Sequence, residues 1–212
     1  MGLFDRFKKR KLELYTEKEL DELEIHIEEY VGEFDQILHE IYSPDIHLDI
    51  AVINPTEDRP YYSLVTMGLG AHHMNVPKEL KEYELERCEL IIDLPSSWEI
   101  NNNEEKWYWP IRWLKIIARV PIEHHTWIGY GHTFGDGTCF DETVNFTSIV
   151  LVKGLEEDLR LSDGKKINFY KLIPLYSEEL EYKQEHDGID DFLDIADGLS
   201  TVIDINRKNY CK

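Results

Sequence analysis

Five of the nine histidines fall in two places: His72-His73, and His124-His125 with His132 seven residues further on. Imidazoles that converge can hold zinc while leaving a position open for an activated water, the arrangement of a metal-assisted hydrolase. His72, His73, His125 and His132 would form that set. Against it, neighbouring residues on a strand point to opposite faces, and the chain has neither His-x-x-x-His nor His-Glu-x-x-His. Cys139 stands seven residues after His132, so a Cys–His pair is conceivable, but no Gly-x-Ser-x-Gly elbow occurs. Gly68-Leu-Gly70 and Gly129-Tyr-Gly131 do not extend to Gly-x-Gly-x-x-Gly, so no nucleotide site is indicated. Asp49 and Asp93 sit in strand patterns among apolar neighbours, where an inward carboxylate needs a cation such as Arg59, Arg87, Arg112 or Arg119. Fixed ligands and an activated nucleophile are both missing from these patterns. The sequence therefore predicts no catalytic residue, no metal and no cofactor, and its chemistry points to recognition.

Two segments suit recognition. Met67-Gly-Leu-Gly-Ala-His-His-Met-Asn75 follows a strand pattern and mixes methionine, histidine and glycine, a composition for an adaptable contact loop. Met67, His72, His73 and Met74 are its candidate contacts. Tyr130 and His132, in the glycine-spaced run after Trp127, are the others, since aromatic side chains bury much area at little entropic cost. Trp127 itself reads as core.

These residues need a scaffold, and its elements are legible. Thr16 and Glu19 form a capping-box pair, and Leu20, Leu23, Ile27, Tyr30, Phe34, Ile37 and Ile41 recur at helical spacing, predicting a helix from Thr16 to Ile41. Strand patterns follow at His47–Ile53, Tyr61–Met67 and Tyr83–Leu94. Pro110 is placed as the first residue of a helix bearing Ile111, Leu114, Ile117 and Ala118 on one face, with Pro121 as its stop. Strands are expected at Thr126–Thr133, Val144–Val152 and Lys166–Leu172. Helices are expected from Ser177 to His186 and from Ile189 to Ala196, and Ser200–Asn209 reads as an edge strand. No βαβ rhythm appears, so the fold class is α+β: a mixed, largely antiparallel sheet packed with helices.

Composition narrows the partners. The chain has 212 residues, 43 acidic and 23 basic side chains, and a net charge of −20. Residues 1–11 hold five basic and one acidic residue, a surplus of +4, which leaves −24 on the other 201. Such a body repels nucleic-acid phosphates and attracts a basic protein. Residues 1–14 read as a basic, flexible lead-in to one domain over 15–212. That lead-in lacks the apolar core of a signal peptide, and one short basic stretch gives no stable membrane association. No stretch reaches the ~18 apolar residues of a membrane span, so the expected location is cytoplasmic. Cys88, Cys139 and Cys211 are odd in number and unpaired by spacing, which argues against a disulfide framework, and Cys88 reads as a small buried hydrophobe.

Several blocks together carry a family resemblance. They are Trp109-Pro-x-x-Trp113-Leu-x-x-x-Ala-Arg119, His125-Thr-Trp127-x-Gly-Tyr-Gly-His132-Thr, Tyr61-Tyr-x-Leu-Val-Thr66-x-Gly68, Glu89-Leu-Ile-Ile-Asp-Leu-Pro95-x-x-Trp98, and Asn168-Phe-Tyr-x-Leu-Ile-Pro174-Leu-Tyr-x-Glu-Glu179. In this order, across roughly 46–193, they resemble a suppressor of fused (SUFU-like) domain in its bacterial single-domain form. The resemblance implies a non-catalytic protein-binding domain, and more narrowly an immunity protein that neutralises a toxin of a polymorphic system. A regulator that sequesters an endogenous protein, and the histidine-based hydrolase, are the alternatives.

Overall fold

The computed structural model describes residues 12–186 and 188–212. Eight strands form its sheet: β1 Gln36–Leu38, β2 Asp49–Ile53, β3 Tyr61–Met67, β4 Cys88–Pro95, β5 Thr133–Phe134, β6 Ser148–Lys153, β7 Leu159–Arg160 and β8 Lys166–Leu175. Their order is β1-β2-β3-β4-β8-β6-β5, with β7 added on β8. Every pairing is antiparallel except β4 with β8, where Cys88 lies beside Asn168. This is the mixed, largely antiparallel α+β sheet that the sequence predicts.

Both faces of the sheet are covered, which explains why β4 is buried along nearly all of Cys-Glu-Leu-Ile-Ile-Asp-Leu. Alternate side chains divide between two cores. Ile50, Val52, Leu64, Cys88, Leu90, Ile92, Ile149, Leu151 and Leu172 pack with Trp109, Leu114, Ile117 and Ala118 of α2 (Glu105–His124). On the other face, Ala51, Ile53, Val65, Ile91 and Phe169 pack with Leu23 and Ile27 of α1 (Glu17–Tyr30). Beside them, Val150, Val152, Ile173 and Leu175 pack with Ile189 and Phe192 of α4 (Ile189–Ile195), which follows α3 (Ser177–Glu185). Between the α1 and α4 cores runs a polar seam. The Lys171 ammonium lies 2.7 Å from the buried Asp93 carboxylate, and Ser63 donates to that carboxylate at 2.7 Å. Asp93 is thus buried as its pattern predicts, although its cation is a lysine from β8. Asp49 is half-buried and answered by His39 at 2.9 Å and His47 at 3.1 Å.

Several element boundaries depart from expectation. The Thr16–Glu19 capping box forms, but α1 ends at Tyr30 because Gly32 takes φ +138, and Ile37 and Leu38 enter β1. β4 starts at Cys88, since residues 78–83 form a 3₁₀ helix closed by Glu84 in the left-handed region. Helix α2 begins five residues before Pro110 and passes through Pro121 to His124. Both prolines are buried, so packing compensates for their missing N–H groups. Of residues 126–133 only Thr133 is in a strand, β6 begins at Ser148, and the segment 200–209 contributes a single bridge, Val202 to Asp93. β7 was not anticipated. At the N-terminal end Glu13 bridges Ile46 and donates its N–H to Asp45 O. The basic segment 1–11 lies outside the described residues.

Candidate functional site

Helix α2 has two apolar stripes. One, with Trp109, Leu114, Ile117 and Ala118, is sealed against the sheet. The second runs through Trp113, Ile116, Val120 and His124, three or four residues apart, and so shares one helical face. That face forms one wall of a groove of about 580 Å³. The opposite wall is β5, with Thr133 and Phe134, and the loop from Gly135 to Phe140 closes one end.

β5 is the last strand of the sheet and pairs only with β6 among the described residues. Its outer edge is therefore open beside the groove. Gly135 keeps that wall close: at φ +155, a Cβ there would come within 2.4 Å of Thr147 O. The floor is aromatic, with the Trp113 and Phe140 rings 4.7 Å apart, and the fully buried Trp109 backs that phenylalanine from 5.2 Å. Arg112 braces the loop, donating to Phe140 O at 3.0 Å and to Glu105 at 2.6 Å. Asp136 accepts from the Thr138 N–H at 2.9 Å and its hydroxyl at 2.6 Å, which holds the carboxyl below its usual range.

Three buried polar atoms lie behind this wall rather than on it. The Trp113 indole N–H is buried and lacks a hydrogen-bond partner among the described residues. The same holds for the hydroxyls of Thr147 and Ser148, the residues against which Gly135 packs. Buried donors are ordinarily paired, and an orphan costs about 1–3 kcal/mol.

The sequence-predicted contacts are scattered. Met67 and Met74 are core residues, 5% and 4% exposed. The loop they bracket turns inward because Met74 N–H donates to Glu86 O. His72 pairs with Glu13 at 2.9 Å, and His73 is exposed. Asn75 draws this loop against the 125–126 segment, through Thr126 O at 3.0 Å and His125 O at 3.1 Å. Tyr130 and His132 lie on the approach to β5 but face away from the groove. The Tyr130 hydroxyl donates to Asp190 of α4, and burial together with that carboxylate pushes its pKa up to about 12. His132 packs edge-on to Trp127 at 4.3 Å, and burial, with Lys183 nearby, lowers its pKa. Among the described residues no three His, Cys, Asp or Glu side chains are arranged to hold a metal ion, so the four-histidine set does not assemble. Cys139 is exposed on the groove's end loop, and Cys88 is fully buried.

One densely hydrogen-bonded buried carboxylate has no local signature in the sequence. Glu89, wholly buried, accepts from Tyr15 Oη at 2.7 Å, Thr66 Oγ1 at 2.5 Å and the N–H groups of Gly68 and Gly70 at 2.9 Å each. Burial pushes its carboxyl up although all four donors oppose the shift. Next to it, Arg87 donates to Gly70 O and to Glu19 at 2.8 Å, which fastens α1 to the sheet. With four donors of the chain itself on one carboxylate, this cluster is a structural knot.

Comparison with known proteins agrees with this architecture. The sequence pattern of the family described as Suppressor of fused protein (SUFU) matches residues 44–208. The chain belongs to the suppressor of fused family. A relative from Ureaplasma parvum serovar 3, described as "Uncharacterized protein UU111", is 24% identical over 188 residues, covering 85% of this chain and 90% of that one. A putative SUFU homolog from Neisseria gonorrhoeae superposes with a TM-score of 0.61 at 17% identity, over 90% of this chain and 96% of its own. The crystal structure of a Sufu–Fu complex matches with a TM-score of 0.63 at 13% identity, over 94% of this chain and 93% of that one. At these identities the solved structures establish the fold. No helix among the described residues is long and apolar enough to cross a membrane.

Proposed function

We propose that this chain is a non-catalytic, cytoplasmic protein-binding domain that takes an extended segment of its partner into the groove between α2 and β5. The observation that carries this reading is the open edge of β5 beside the apolar wall of Trp113, Ile116 and Val120. A peptide laid there would pair its backbone with the strand edge and place alternate side chains against Trp113, Ile116 and Val120. The structural neighbour solved as a Sufu–Fu complex supports a protein partner for this fold. Charge selects the kind of partner. A body at −24 favours a basic protein, and the narrower role we propose is immunity: occlusion of a basic toxin domain by direct binding.

Isothermal titration of the purified chain with a basic toxin domain encoded beside it tests both levels. Tight one-to-one binding is expected, with Trp113→Ala or Ile116→Asp weakening it by about 30-fold, the size of a hot-spot loss. Absence of binding overturns the immunity role. Binding that ignores both substitutions overturns the groove.

A further inference from the structure

A second groove, of about 300 Å³, lies at the other end of the sheet, between α1 and strands β1 to β3. Leu14, Leu20, Ile37 and Met67 give it an apolar lining. Leu14 of this lining is exposed, and so are Leu12, two residues before it, and Ile41 and Tyr42 in the loop that joins the lining residues His39 and His47. A concavity with an apolar lining that is open to solvent is a candidate contact site.

Two carboxylates also line this groove, and they differ. Asp49 is already served by His39, His47 and the Glu40 N–H at 2.9 Å. Glu24, half-buried on α1, receives no hydrogen bond and no ion pair from any described residue. Burial, followed by the neighbouring Asp21 and Glu28, pushes its carboxyl up. Asp21, Glu24 and Glu28 stand three and four residues apart, so three like charges share one helical face. Covering this groove with an apolar segment alone would bury Glu24 unpaired, which is costly. A second copy of the chain would bring a further −20 and be repelled. A lysine or arginine meets both needs, because its aliphatic stem covers apolar surface while its head pairs with a carboxylate.

We propose that this groove is a second docking surface, taking a basic residue flanked by apolar side chains on a partner protein, with Glu24 as the carboxylate that pairs with it. The surface is separate from the α2–β5 groove, and its occupancy does not depend on that groove binding anything.

Methyl and amide NMR of the full chain, titrated with acetyl-Leu-Arg-Leu-amide, tests it, and acetyl-Leu-Gln-Leu-amide serves as the control. Shifts confined to Leu14, Leu20, Ile37 and Met67 are expected with the arginine peptide, at least fivefold weaker in Glu24→Gln and in the glutamine control. Glu24→Gln removes one charge from an unpaired position, so the fold is retained. No shifts at these residues, or equal affinity in Glu24→Gln, overturns the proposal. Shifts that appear only when Lys8, Lys9, Arg10 and Lys11 are all replaced by serine assign the groove to the chain's own residues 1–11, and also overturn it.

Discussion

Buried ionisable residues on α1, α3 and the C-terminal segment fasten these elements to the sheet. Glu179 has no exposure, and Arg207 grips it through two bonds of 2.6 and 2.5 Å while stacking over Phe146 and Tyr176. Removing Arg207 leaves the buried Glu179 carboxylate without its cation, with only the Tyr176 and Tyr210 N–H groups as donors. Arg207→Ala is therefore expected to cost about 3–5 kcal/mol, read from the urea midpoint, and to release the 207–212 tail. His26 predicts a pH effect. It stacks on Phe169 at 5.1 Å with Nε2 3.2 Å from Glu157 O, and burial lowers its pKa. The folded chain thus prefers neutral imidazole. The stability this residue contributes is complete above the ordinary histidine value near 6.5 and is lost as pH falls through the lower folded value. His26→Phe should flatten the stability profile across that acidic window, and an unchanged slope would assign the effect elsewhere.

Elements were legible in the sequence where local chemistry alone determines them. Tyr61–Met67 reads as a strand and is one, end to end, and the Thr16–Glu19 box starts α1 where its spacing says. Errors gather where a distant contact decides. Ile37 and Leu38 fit a helical stripe, yet β2 offers them a ladder after Gly32 ends the helix. Glu89 and Tyr15 meet across 74 positions, and no local pattern encodes that pairing. The α2–β5 groove has a partial signal in the sequence: Trp113, Ile116 and Val120 widen the apolar face of α2 beyond the stripe of Leu114, Ile117 and Ala118, and a face that wide is not all covered by the sheet. The turn after β3 shows how tight such junctions are. Gly68 has φ +144, and a Cβ would sit 1.9 Å from His47 O. Gly68→Ala is expected to destabilise by more than about 1 kcal/mol, since both conformation and space are wrong, with amide exchange rising first in β2 and β3.

For the molecule as a whole, charge and shape divide the work of recognition. The grooves are largely apolar, so the lifetime of a complex rests on contact area and on the few polar groups satisfied there. The long-range field comes from the −24 spread over residues 12–212. That field acts before contact, and its reach falls from about 10 Å at 0.1 M salt to about 3 Å at 1 M. Association with a basic partner should therefore slow by at least tenfold between 0.05 and 0.5 M salt while dissociation changes little, as measured by stopped-flow and surface plasmon resonance. Neutralising the exposed face of α1 through Glu17→Gln, Asp21→Asn and Glu28→Gln should reproduce part of that slowing at low salt without altering dissociation. Ile116→Asp should do the reverse, raising the dissociation rate with little change in its salt dependence. A partner whose association rate ignores salt would remove the electrostatic half of this scheme, and with it the reason to expect that partner to be basic.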